Sequence, residues 1–112
     1  MDTILDQLDQ NLADRRHGDA STSYVAGLHQ RGLNKILEKV GEEAVEAILA
    51  ARDAEHGDDK ARQALIRETA DLWFHSLVML SHLGLDHRSV LEELARRQGI
   101  SGLEEKASRT QG

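Results

Sequence analysis

The sequence predicts an all-α chain, folded as a bundle of four to five helices. Three observations carry that expectation. Proline is absent and aromatic residues make up only 3%, a composition that favours helix and gives little support to a sheet. Apolar residues recur at i, i+3 and i+4 along most of the chain. The breaks between these stripes hold the residue types that start and stop helices.

The first helix is expected over residues 3–14. Thr3 is its N-cap, Asp6 sits at the third helical position, and Ile4, Leu5, Leu8 and Leu12 share one side. Residues 15–23 are polar and carry the turn formers Gly18, Asp19, Ser21 and Ser23. A short helical segment over 24–29 is closed by Gly32. The second main helix covers 33–55, with Leu33, Ile36, Leu37, Val40, Ala44, Ala47, Ile48 and Ala51 on its stripe. Gly41 interrupts that stripe, either to permit close backbone approach or as a tolerated cost of about 1 kcal/mol relative to Ala.

After the turn at residues 56–59, Asp58 or Asp59 caps a third helix over 60–83. This is the most apolar segment: Leu65, Ile66, Leu72, Trp73, Phe74, Leu77, Val78, Met79, Leu80 and Leu83 leave almost no wholly polar face. A helix that needs one buried side but is apolar nearly all round should be buried nearly all round. In so short a chain that predicts a homodimer joined through this helix. Gly84 ends it, and Asp86 caps a fourth helix running to residue 98. Ser101 and Glu104 have capping-box spacing for a short last helix.

At 112 residues the chain has room for one domain, 1–112. A formal net charge of -6 argues against a nucleic-acid partner bound through a basic surface. With no Cys, disulfides, thiolate metal sites and thiol nucleophiles are excluded. The N-terminal MDTILDQLDQ has neither a basic nor an apolar signal region, and no apolar run approaches a membrane span. A soluble, cytoplasmic protein is the expectation.

The candidate chemistry lies in two acidic pairs. On the second helix Glu42, Glu43 and Glu46 occupy one turn, with Lys35 and Lys39 just before them. A solvated face with pairs such as Lys39–Glu43 would explain them. Against it, Glu38, Glu42 and Glu46 are like charges at i,i+4 spacing, which costs stability unless offset. On the third helix Glu68, Asp71 and His75 fall within roughly 60° of arc at 100° per residue, flanked by Leu72, Val78 and Met79. Acids inside an apolar stripe carry a severe desolvation cost unless paired or metal-bound. The competing explanation is a salt bridge from another helix.

Packed side by side, Glu43-x-x-Glu46 and Glu68-x-x-Asp71 would point four carboxylates into one cleft. Such a donor set suits Mg²⁺, which takes oxygen ligands, keeps waters and is completed by substrate phosphates. The lack of Cys and of paired Glu-x-x-His spacing argues against zinc and against a di-iron site. One carboxylate not fully used by metal would position or deprotonate a water. Lys35 and Lys39 either contact phosphate or pair with the glutamates. His75 either orients the Asp71 carboxylate or is a satisfied buried histidine. Lys106 and Arg109 either close over phosphates or belong to a frayed tail. His17, His29, His56, His82 and His87 show no ligand spacing.

The run SYVAGLHQRGLNKILEKVGEEAVEAILAA, followed by ETADLWFHSLVMLSHLGL and VLEELARRQGISGLEEKASR, resembles the phosphoribosyl-ATP pyrophosphatases. These are members of the MazG-like all-α nucleotide pyrophosphohydrolases. The Glu-x-x-Glu…Glu-x-x-Asp pattern marks only the superfamily; the KVGEEAVEA and ADLWFHSLV contexts single out the histidine-pathway branch. The resemblance implies Mg²⁺-assisted hydrolysis of phosphoribosyl-ATP to the AMP form and pyrophosphate by a helical dimer. It places the metal ligands on Glu43, Glu46, Glu68 and Asp71 and an auxiliary acid on Glu42, making Glu42 and Glu43 the candidate catalytic acids. Val25 and Phe74 stand where Thr and Tyr are common in that pattern. The alternative reading is a MazG-type house-cleaning (d)NTP pyrophosphatase.

Overall fold

A computed structural model describes residues 3–98, which form five helices and no strand. Helix α1 spans Ile4–Arg15. Thr3 Oγ1 accepts the Asp6 backbone N–H while the Asp6 carboxylate accepts the Thr3 N–H, both at 3.1 Å. This reciprocal box satisfies two donors that helix geometry leaves open. Helix α2, Tyr24–Arg31, starts on Ser23, whose hydroxyl accepts the Ala26 N–H. It extends two residues beyond the predicted segment. Gly32, at φ +98°, turns the chain directly into α3, Leu33–Ala54; that conformation is nearly free only for glycine.

Residues 55–58 reverse the chain. A Cβ on Gly57 would lie 2.6 Å from the Asp53 carbonyl and 2.8 Å from Ala61 Cβ, so only glycine lets the helix ends approach this closely. Asp58 then caps α4, Asp59–His82, accepting the Ala61 N–H at 3.0 Å. Its C-terminus closes with Leu85 N–H donating to the Leu80 carbonyl and Gly84 N–H to Ser81, Gly84 taking φ +77°. This is the pattern by which a left-handed residue satisfies the last carbonyls of a helix. Arg16 completes the end from outside, its guanidinium donating to the Ser81 and His82 carbonyls at 3.0 and 2.8 Å, a favourable place for a cation. Helix α5, His87–Gln98, is pinned to α1: His87 donates its backbone N–H to Asp9 and its ring meets both Asp9 and Asp6.

Helices α3 and α4 form a long hairpin that makes most of the inter-helix contact. The core gathers at the end of the hairpin away from its turn: Leu12 of α1, Val25 and Leu28 of α2, Ile36 of α3, and Leu77 and Val78 of α4. The expectation that the most apolar helix is buried nearly all round is not met within one chain. Along α4 only His75, Leu77 and Val78 are buried, while Ile66 and Trp73 are 58% and 61% exposed. The reason is topological. Helices α1 and α2 pack at the core end, so among the described helices α3 is the main cover of the turn-proximal half of α4, where Ile66 lies; Trp73 lies further along, bordering an apolar groove with Leu5 of α1 and Val90 and Leu94 of α5. The expected helix beginning near Ser101 and Glu104 lies outside the described residues, as do Lys106 and Arg109.

Candidate active site

The hairpin brings three of the four expected acids together, while the fourth, Glu46, lies outside the group and lines the neighbouring cleft. Glu43 of α3 and Glu68 and Asp71 of α4 each contribute one carboxylate oxygen to a group whose members lie within 4.8 Å of one another. Glu43 is buried, Glu68 half-buried and Asp71 exposed, so the cluster opens from the helix interface towards solvent. Glu43 Oε2 and Glu68 Oε2 are buried and accept no hydrogen bond from any described residue. An orphaned buried carboxylate oxygen costs free energy unless something occupies its lone pairs. Burial raises the proton affinity of Glu43, and the Glu46 and Asp71 carboxylates raise it further, against a lowering by His75. Burial likewise raises Glu68, followed by Glu46, Asp71 and Glu43. Glu46, whose residue is exposed, thus acts on both.

The alternative that a cation from another helix neutralises these acids does not hold among the described residues. The one ion pair to the cluster is Lys39 Nζ to Glu43 Oε1, 3.8 Å, from one turn earlier on the same helix. Lys39 is held more closely by Glu42, at 3.1 Å. That contact lowers Glu42 below the usual glutamate range, and the Glu42 side chain is 47% exposed. Glu42 therefore stands outside the three-carboxylate group. Lys35 pairs with Glu38 at 3.4 Å, so both lysines are tied to glutamates, one of the two roles open to them from sequence.

His75 is buried and satisfied. Its Nδ1 lies 2.8 Å from the Asp71 backbone carbonyl, and its Nε2 lies 2.8 Å from the Tyr24 hydroxyl. A carbonyl only accepts, so Nδ1 carries a proton and donates to Asp71, while Nε2 shares a hydrogen bond with the Tyr24 hydroxyl. The ring thus engages the Asp71 backbone and not its carboxylate; of the two roles open to His75 from sequence, the satisfied buried histidine is the one observed. Tyr24 was not singled out from sequence. It lies 51 positions from His75, and no helical period links residues on separate elements.

The donor set passes the test for a hard divalent cation: all-oxygen, multiply anionic, partly buried, with two oxygens lacking any other partner. Beside it, towards the hairpin turn, a cleft of about 500 Å³ is lined by Glu46 and Glu68 and floored by Leu49, Ala50, Ala61 and Ala64.

Fold and acids together define a class: all-α proteins in which a long helix hairpin converges acidic side chains beside an open cleft. Comparison with known families narrows it. The chain belongs to the phosphoribosyl-ATP pyrophosphohydrolase family, whose model matches residues 5–98, from α1 to the end of α5. It is accordingly a hydrolase of histidine biosynthesis that acts on phosphoribosyl-ATP. Among the described residues no helix is long and apolar enough to cross a membrane.

Proposed function

We propose that Glu43, Glu46, Glu68 and Asp71 hold Mg²⁺ and that this centre carries the pyrophosphohydrolase reaction. The observation that supports the reading is the convergence of three carboxylates with two buried, unpartnered oxygens. When bound, Mg²⁺ supplies the positive charge that lets an acidic cleft accept a polyphosphate. The protein's own part is to position and to move a proton. Glu43, the buried carboxylate of the group, would offer one oxygen to the metal and the other to the proton of the attacking water, as the water's oxygen bonds to phosphorus and the bridging P–O bond of the polyphosphate breaks. His75, held between Tyr24 and the Asp71 carbonyl, fixes the turn of α4 that presents Asp71. Glu42 and Lys39 form an exposed pair at the edge. Exposed pairs contribute at most about 1 kcal/mol, so Lys39, and Lys35 with it, can exchange a glutamate for a substrate phosphate.

The active molecule in this reading is a cytoplasmic homodimer. Ile66 and Trp73 on α4 and Val45 and Ile48 on α3 are each more than half exposed, an apolar face that suits a second copy of the hairpin.

The test is pyrophosphate release from phosphoribosyl-ATP with Mg²⁺. Outer partners of metal ligands are worth about 10–100-fold; removing a ligand itself, by Glu68→Gln or Asp71→Asn, should cost more than about 100-fold with helicity retained by circular dichroism. Full activity in both variants would overturn the assignment. Turnover of dNTPs without turnover of phosphoribosyl-ATP would favour the house-cleaning alternative instead.

A further inference from the structure

The cleft beside Glu46 and Glu68 holds two cations that no step so far has used, Lys60 and Arg67. Their state differs from that of the lysines on α3. Lys35 and Lys39 each spend their charge on glutamates of their own helix. Among the described residues, neither Lys60 nor Arg67 forms a hydrogen bond or ion pair, although Glu46, Asp53 and Glu68 line the same cleft. Asp58, also at its edge, is already engaged in capping α4. A guanidinium in an acid-rich cleft, with its fork of donors unspent, is available to a ligand that carries its own negative charge. The cleft adjoins the acids assigned to metal, so a ligand anchored at those acids has Arg67 within the same concavity.

The chemistry specifies what that ligand offers. Hydrolysis releases pyrophosphate, a compact polyanion, and a metal centre leaves much of its charge to be met by the protein. A planar guanidinium matches the spacing of two phosphate oxygens and binds them bidentately; an ammonium meets them as a point charge. The apolar face of α3 does not compete for this site. At 100° per residue Val45 and Ile48 lie about 100° and 160° round the helix from Glu46, so that face is not the one that lines the cleft.

We infer that Arg67 binds the pyrophosphate end of the substrate and positions it beside the carboxylate cluster, with Lys60 adding charge at the same end. The inference rests on the proposed metal centre and adds to it a residue the acids alone do not specify.

Steady-state kinetics on the full chain with Mg²⁺ and phosphoribosyl-ATP provide the test, with inhibition by inorganic pyrophosphate measured in parallel. A charge-assisted hydrogen bond of ordinary strength corresponds to about tenfold or more in affinity. Arg67→Ala should raise both the KM and the pyrophosphate Ki by about that factor, with kcat changed by less than about threefold. Arg67→Lys should recover part of the loss, since it keeps charge without the fork. Arg52→Ala, the same charge change at a side chain 83% exposed on α3, should leave both constants near native. Unchanged KM and Ki in Arg67→Ala would overturn the inference, as would a rise in KM without a rise in Ki. A lowered unfolding temperature accompanying an equal rise of both constants in Arg67→Ala and in Arg67→Lys would mark a structural role and overturn it too. If the native chain turns over substrate, Glu68→Gln does not, and Arg67→Ala behaves as native, only the Arg67 assignment falls; if Glu68→Gln retains full activity, it is the metal centre that falls.

Discussion

Glu43 and Glu68 each bury a carboxylate oxygen that finds no partner among the described residues, and burial is the first cause of their raised proton affinities. A carboxyl group whose folded-state value lies above its unfolded value of about 4.3 contributes stability at low pH and loses it as pH rises through the folded-state value. The metal-free protein is therefore strained by these acids at neutral pH. Glu43→Gln should unfold at a higher temperature than the native chain at pH 7 without metal, and the gap should close towards about pH 4. Mg²⁺ should raise the unfolding temperature of the native chain and much less that of the variant; a native chain indifferent to Mg²⁺ would contradict the proposed centre. His29 acts in the opposite sense. Its Nδ1 faces His82 Nδ1 at 2.8 Å with the rings stacked, a geometry with room for one proton between them. Burial lowers its proton affinity, helped by His82, Arg16 and His17. Its contribution is present above the ordinary histidine value of about 6.5 and is lost as pH falls below it. His29→Leu should flatten the fall in unfolding temperature between about pH 7 and pH 5, read by thermal melts across that range.

Within the elements, the ends of α1, α2 and α4 follow from local chemistry. Thr3, Ser23 and Asp58 each accept a backbone N–H of the first turn, and Gly84 supplies the left-handed residue that ends α4. Thr3, Asp58 and Gly84 are legible in sequence because a cap involves only neighbours a few residues away; Ser23 reads from sequence only as a turn former. Gly41 is different. Sequence leaves open whether it permits a close approach, and a Cβ there would meet nothing within 4 Å. Gly41→Ala should therefore stabilise the chain by about 0.5–1 kcal/mol in denaturant titration, through the unfolded chain and α3's helix propensity. Ile36, on the same helix, is fully buried at the junction of α1, α2 and α4. Ile36→Ala should cost about 2–5 kcal/mol by the same measurement. The contrast separates a helix position that supports tertiary packing from one that supports only the helix.

For the molecule as a whole, the unevenly covered hairpin is the main feature. Two short helices close the core at one end, and the turn-proximal half of α3 and α4 keeps Val45, Ile48 and Ile66 exposed, with Trp73 exposed two turns further along α4. In the proposed homodimer, a second hairpin covers them. Trp73→Glu, which sets a charge into that face, should shift sedimentation from dimer to monomer at micromolar concentration. A native chain that sediments as a monomer would remove the proposal. The same asymmetry places the acids at the border between the packed end and the open end: Glu43 is buried while Asp71 reaches solvent. A site that must exclude some water yet admit a nucleotide requires such a border.

By itself, the sequence determined the helical class, the helix ends and the two acidic pairs, because periodicity and capping are local properties of the chain. It also carried the family, through the residues around Glu43 and Asp71 that the family model matches. Tertiary structure decided which acids act together. Glu42 and Glu43 are neighbours in sequence, but helix rotation sends Glu42 outward to Lys39 and Glu43 inward to Glu68 and Asp71. Only the hairpin could show that Tyr24 holds His75, that His75 meets the Asp71 backbone rather than its carboxylate, and that Arg67 lines the cleft without an ion pair among the described residues. The physical reason is common to all three. A helical period reports which side of its own helix a residue occupies, while partners on another helix depend on how the two axes pack.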